Sequence, residues 1–252
     1  MRPRALVTGA GARVGRATAV ELARAGFDLG VHYNRSTEPA EETADMCRAL
    51  GARAWTVGGD LGTAEGCAAV VDATMREWDA LHVLVNNASL FTPVPFGEIG
   101  DAEWERMLAV NLLAPFRLSR DLLGHLRAAD GQAVGAPEGQ HGLVVHLCDI
   151  GADRPVNGHA HYSVSKAGLV MLVKAMAVEL APAVRTVGVS PGQVAWPQDY
   201  DADKRARITR RIPLRRVGAP EDIARLVRFL ALEAHYLNGI VVPVDGGLAC
   251  RY

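Results

Sequence analysis

Short apolar runs alternate along the chain with longer stretches whose apolar residues recur at helical spacing. Arg4-Ala-Leu-Val-Thr8 reads as a strand ending in glycines, and Arg13 to Ala25 as a helix stopped by Gly26. The same rhythm predicts strands over Asp28 to Tyr33, Ala52 to Val57, Leu81 to Val85, Gly142 to Leu147, Thr186 to Val189 and Ile240 to Val244. Between them it predicts helices over Glu38 to Leu50, Ala64 to Trp78, Ala102 to Ala128, Ala160 to Leu180 and Glu221 to Leu232. Strands that alternate with helices call for a parallel sheet covered on both faces, an α/β fold. No linker interrupts the pattern, so residues 1–252 are expected to form one domain.

Two stretches break the rhythm. Asp130 to Gly142 is glycine-rich and polar, and is expected to be a surface loop. Gly192 to Gly218 follows a strand end and carries many charges, the pattern of a mobile flap over a substrate.

Composition narrows the function classes. Of the 252 residues, 49% are apolar and 22% charged, which is globular rather than disordered. A formal net charge of -1 gives no general attraction to nucleic acid or an anionic membrane. No apolar run approaches the roughly 18 residues needed to span a bilayer. The apolar stretch after the N-terminal arginines is short and runs into Gly9, unlike a secretory signal. Cys47, Cys67, Cys148 and Cys250 are scattered with no CxxC pair, as expected of reduced thiols in a soluble, cytoplasmic protein. His159 and His161 have no partners at metal-ligand spacing, so no metal is expected.

The candidate chemistry begins at the first strand–helix junction. Thr8-Gly-Ala-Gly-Ala-Arg-Val-Gly15 lies where a chain must turn tightly and let a pyrophosphate approach helix-terminal N–H groups. Gly9, Arg13 and Val14 are therefore candidate cofactor contacts. The second strand ends in Val31-His32-Tyr33-Asn34-Arg35-Ser36, without the acid that usually binds the ribose hydroxyls of NAD. Arg35 can pair with a 2′-phosphate and Ser36 can donate to it, which points to NADPH. Asp60-Leu61 and Asn86-Asn87-Ala88-Ser89 follow the third and fourth strands, at the edge where ligands of open α/β sheets bind.

Tyr162-Ser-Val-Ser-Lys166 places a phenol and an ammonium on one helical face. A free tyrosine, with a pKa of about 10, exchanges protons poorly at neutral pH. A neighbouring ammonium is expected to lower that value and make Tyr162 a proton donor. The same lysine can hold the nicotinamide ribose.

These motifs, in this order, make the chain similar to the short-chain dehydrogenases/reductases along nearly its whole length. The matching segments are TGxxxRxG at residues 8 to 15, Asn86-Asn-Ala88, Asn111, Tyr162-xxx-Lys166, Pro191-Gly192 and Asp245-Gly-Gly247. The resemblance implies a Rossmann-type doubly wound sheet, cofactor contacts at Pro191 and Gly192, and commonly a homotetramer. It also implies an Asn-Ser-Tyr-Lys catalytic set in which Asn111 holds a water beside Lys166. One position departs from the family: Asp149 stands where a serine is usual, thirteen residues before Tyr162.

Within the family, Asp149 with Arg13, the His32–Ser36 strand end and Asn86–Ser89 resembles the pteridine reductases and the bacterial dihydromonapterin (dihydrofolate) reductases. That resemblance assigns Phe91 to stack on a pterin and Ser89 to hydrogen-bond it. The expected reaction is then hydride transfer from NADPH to a C=N bond, with Asp149 assisting Tyr162. The alternative in the same family is an NADPH-dependent carbonyl reductase acting on a ketone, 3-oxoacyl or sugar substrate. A non-catalytic dinucleotide-binding regulator is a third reading, against which Tyr162, Lys166 and Asn111 all speak. Lys204, Arg205, Arg207, Arg210, Arg211, Arg215 and Arg216 form a basic cluster in the flap, read as a solvated helix face or as an attractor of anionic ligands. Trp196 and Tyr200 are candidates to close over the substrate.

Overall fold

Successive side chains of a strand leave opposite faces of a sheet. In residues 5–7, Ala5 and Val7 enter one core while Leu6 enters another, and Val83, Leu84 and Val85 repeat the division. A strand apolar on both sides must be covered on both sides. The computed structural model, which describes residues 2–196 and 200–250, has this arrangement.

The strands are Arg4–Val7 (β1), Asp28–Tyr33 (β2), Ala54–Gly58 (β3), Val83–Asn86 (β4), Gly142–Leu147 (β5), Val184–Pro191 (β6) and Val241–Val244 (β7). They pair in parallel in the order β3-β2-β1-β4-β5-β6-β7, a doubly wound Rossmann fold. Helices Arg13–Arg24 (α1), Thr37–Ala49 (α2) and Pro220–Leu232 (α9) cover the Ala5/Val7 face. The Leu6 face is covered by Ala64–Glu77 (α3), Ala114–Asp121 (α5), Leu123–Arg127 (α6) and Ala160–Leu180 (α7). Each fully buried leucine of these cores, such as Leu6 or Leu84, contributes about 2 kcal/mol of apolar transfer. Among the described residues no helix is long and apolar enough to cross a membrane.

One expected helix is corrected. The helix expected over 102–128 is a chain of pieces: Asp101–Leu108 (α4), a π-helical segment Ala109–Leu113, then α5 and α6. Pro115 is the cause. It has no N–H to close a regular turn onto Asn111, and its ring crowds that carbonyl. The turn widens, and the N–H of Ala114 bonds Ala109, five residues back. The stretch at 130–142 is largely exposed, as expected, but sends Val134 and Ala136 into the core. The flap region contains a helix, Ala202–Arg211 (α8), capped by the Asp201 carboxylate accepting from the N–H of Lys204.

The order of strands reverses between β1 and β4. Loops leaving these neighbours diverge to opposite faces of the sheet and open a crevice at its C-terminal edge.

Candidate active site

The crevice floor is tied together by short polar side chains. Thr8 Oγ1 accepts from the N–H groups of Asn87 (2.9 Å) and Ala88 (3.0 Å). Asn87 Nδ2 donates back to the carbonyls of Thr8 (2.7 Å) and Gly9 (3.1 Å). The loops after β1 and β4 are thus stitched together at the point where the sheet order reverses. Only glycine suits the tightest positions. Gly9 has φ +61°, and a Cβ on Gly15 would collide with the Gly9 carbonyl oxygen. Arg13 also has a positive φ, 50°, a conformation that costs a non-glycine residue about 1–2 kcal/mol. Its Nη2 donates to the Val194 carbonyl at 3.3 Å, joining the glycine turn to the flap.

His32 sits beneath this turn, 1% exposed. Its Nδ1 accepts from the Gly9 N–H (3.1 Å), and its Nε2 faces the Gly59 carbonyl (3.0 Å), where it must donate. Those roles fit the neutral imidazole, and burial holds its pKa below the ordinary histidine value. Both ring nitrogens are therefore engaged inside the fold, and His32 bears on the crevice through Gly9. The first turn of α1 has no side-chain cap and no acidic residue. Backbone donors framed by small residues suit a pyrophosphate, so the site fits a dinucleotide cofactor.

Beyond β2 the chain bears no acid through Ser36, and Asn34, Arg35 and Ser36 are exposed. Tyr33 is half-buried against Gly58. Asp60 accepts from Arg106 (2.7 Å) and from the N–H of Gly62 (2.9 Å). The Arg106 bond holds its carboxyl below the usual range. Leu61 lies in the core. On the far side of the crevice, the N–H of Gly192, after Pro191, donates to Val244 (3.1 Å). Gln193 and Ala195 bond Gly218 and pin the base of the flap.

The second half of the site is built on β5 and α7. Asp149 follows β5 with extended backbone, and its Oδ1 accepts from the N–H of Gly151 at 2.6 Å. Its Oδ2 accepts from the Tyr162 hydroxyl at 2.8 Å. One turn along α7, Lys166 Nζ donates to the Leu147 carbonyl at 2.7 Å and lies 5.7 Å from the Tyr162 ring centre. Burial, then the Asp149 carboxylate, pushes the Tyr162 pKa well above that of a free tyrosine. Burial also lowers that of Lys166. This corrects the expectation that the ammonium would lower the tyrosine. With Tyr162 only 4% exposed and a carboxylate on its hydroxyl, the phenol form dominates at neutral pH.

Asn111 acts through the widened turn. Its Nδ2 donates to Ser165 Oγ and to the Leu90 carbonyl, both at 3.0 Å. Its Oδ1 accepts from the Leu90 N–H (2.8 Å) and the Ser89 hydroxyl (3.2 Å). The side chain fastens the loop after β4 onto α7, and that loop carries Phe91. Phe91 is 51% exposed, stacks on His159 at 4.1 Å, and meets Tyr162 edge-on at 4.7 Å. Trp196 and Tyr200 pair at 6.3 Å, with Lys204 over Tyr200 at 3.4 Å; residues 197–199 between them lie outside the described residues. Within the basic cluster, Arg216 pairs with Asp222 at 3.2 Å, and Arg215 donates to the Arg210 carbonyl at 2.7 Å.

Sequence reasoning brought Asp149, Tyr162, Lys166, Ser89 and Phe91 to one region, and the structure gathers them there. It missed Ser165, His159 and Arg106, which are ordinary helix or loop residues until their partners arrive from elsewhere in the chain.

A family model described as enoyl-(acyl carrier protein) reductase matches residues 9–249. An uncharacterized oxidoreductase of Escherichia coli (strain K12), YohF, is 32% identical over 247 residues, 96% of this chain and 94% of its own. The acetoin dehydrogenase of Enterobacter cloacae has a crystal structure that superposes with TM-score 0.89 at 30% identity, covering 100% of this chain and 97% of that one. The acetoin dehydrogenase YohF of Salmonella typhimurium does so at 0.89 and 28%, covering 100% and 98%. These relatives overturn the pterin and dihydrofolate expectation, because those named for a substrate are named for a ketone. The ring-stacking role given to Phe91 is set aside with it. The fold, the glycine turn and the family match together place this chain in the short-chain dehydrogenase/reductase family, as an NAD(P)H-dependent oxidoreductase.

Proposed function

We propose that the protein interconverts a small ketone and its alcohol, with NADPH as the preferred cofactor and Tyr162 as the proton donor. The observation that carries the ketone reading is the full-length likeness to two acetoin dehydrogenases. When bound, the cofactor would supply the hydride that reaches the carbonyl carbon. What this chain supplies is the rest. Gly9, Val14 and the open first turn of α1 receive the pyrophosphate, while Asn87 and Ala88 hold the turn in shape. Asp60, Leu61, Pro191 and Gly192 border the remaining length of the cofactor. The exposed Arg35 and Ser36 favour a 2′-phosphate, and Tyr33 and Asn34 flank them. Lys166 holds the nicotinamide ribose.

Reduction of a carbonyl leaves negative charge on its oxygen, which a proton must quench. Tyr162 carries that proton, since its hydroxyl is held in the crevice by the Asp149 carboxylate. Asn111 keeps the loop of Ser89 and Phe91 against α7, where Phe91 offers an apolar wall to the substrate's carbon chain. The test is NADPH oxidation with acetoin, butan-2-one and a panel of sugars and 3-oxoacyl thioesters. Turnover of the small ketones is expected; turnover of none of them would remove this reading.

A further inference from the structure

We infer that Asp149 makes the site selective for ketones bearing a hydroxyl on the neighbouring carbon. The inference rests on the ketone reading above and deepens it.

A carboxylate accepts hydrogen bonds and donates none. Asp149 Oδ1 holds the Gly151 N–H at 2.6 Å, capping the turn that follows β5. Oδ2 holds the Tyr162 hydroxyl at 2.8 Å. Tyr162 has a single proton, and a ketone oxygen must take that proton's hydrogen bond before it can be reduced. Oδ2 then loses its donor. A plain ketone brings nothing to replace it, and it also sets its own lone pairs against a carboxylate. An α-hydroxyketone brings a carbonyl and an O–H side by side. Its carbonyl oxygen takes the phenol, and its hydroxyl donates to Oδ2. One donor–acceptor pair is exchanged for two, and no charge is left bare. Reduction then moves the hydride to the carbonyl carbon and the Tyr162 proton to the oxygen, giving a vicinal diol. The neighbouring hydroxyl keeps its own proton throughout. A serine in this place would donate to the ketone oxygen instead and would impose no such demand.

Discrimination of about 10- to 100-fold is expected, the scale of one hydrogen bond to a charged group. The experiment measures kcat/KM of the NADPH holoenzyme for acetoin, butan-2-one and 3-methoxybutan-2-one. The methoxy compound keeps the oxygen of acetoin and removes its donor. Wild-type enzyme should prefer acetoin to both others by that factor. Asp149→Ser should lose most of the preference, chiefly by gaining on butan-2-one. Equal use of the three ketones by the wild type would overturn the inference, as would a preference unchanged in Asp149→Ser. The wild-type comparison stands even if that variant does not fold. If NADPH binds but none of the ketones reacts, the ketone reading itself fails and takes this inference with it.

Discussion

The two halves of the crevice are built on different principles. On the cofactor side, strand ends are bonded to one another: Thr8 to Asn87 and Ala88, Gly9 through His32 to Gly59, Arg13 to Val194. A parallel sheet fixes those ends, so the cradle stands ready before any ligand arrives. On the substrate side, Asp149, Tyr162 and Lys166 are anchored in this way, and Asn111 ties Ser89 and Leu90 to α7. Phe91, edge-on to Tyr162, and Trp196, beyond β6, are aromatic side chains on loops. Phe91 leans on His159, and Trp196 leans on Tyr200. Such contacts are worth about 0.5–1.5 kcal/mol beyond area burial and are easily exchanged for contacts with a ligand. A fixed cofactor half and an adaptable substrate half let one fold keep its hydride chemistry while its substrate varies.

Variants should separate the halves. Tyr162→Phe is expected to lower kcat by about 10²–10⁴-fold with the NADPH Kd unchanged, because it removes the proton donor alone. A parallel loss of cofactor affinity would show that the halves are not independent. Arg35→Asp should weaken NADPH by about 10- to 100-fold and spare NADH, read by fluorescence titration of both cofactors. His32 offers a finer cut. Asn at this position keeps an acceptor near Gly9, whereas Gln keeps a donor near Gly59. His32→Gln should raise the NADPH Kd about fivefold and His32→Asn less, although both lower Tm. Equal Kd values would mean that the imidazole only supports the fold. Phe91→Ala should raise the ketone KM a few-fold and leave cofactor binding alone. The subtlest effect concerns pH. The Asp149 carboxylate helps to raise the Tyr162 pKa, so Asp149→Asn removes a raising influence. The alkaline limb of the reduction rate should then begin at lower pH than in the wild type; a limb at the same or higher pH would contradict the assigned coupling.

The same contrast explains what the sequence revealed. The sheet was legible because Ala5-Leu6-Val7 and Val83-Leu84-Val85 are apolar on both sides, and because glycines mark the turn at residues 9–15. Tyr162 and Lys166 were legible because helical spacing alone brings them together. The break at Asn111 had its signal in Pro115, which an otherwise continuous helical pattern masked. Val134 and Ala136 are buried by contacts made across the fold, which local polarity does not encode. His32 had no local mark to distinguish a ligand contact from a strut. The register of Asp149 with Tyr162 was readable, but its meaning was not. An acceptor-only side chain suits any substrate with a donor in the right place, and the substrate half takes its shape from loops rather than from the sheet.

The most direct test of the account follows both products of one reaction. NADPH and acetoin are incubated with the enzyme, and cofactor oxidation is compared with the appearance of butane-2,3-diol. One mole of diol per mole of NADPH consumed is expected, with both processes lost together in Tyr162→Phe. NADPH binding without diol formation would contradict it, as would diol formation that persists at full rate in Tyr162→Phe.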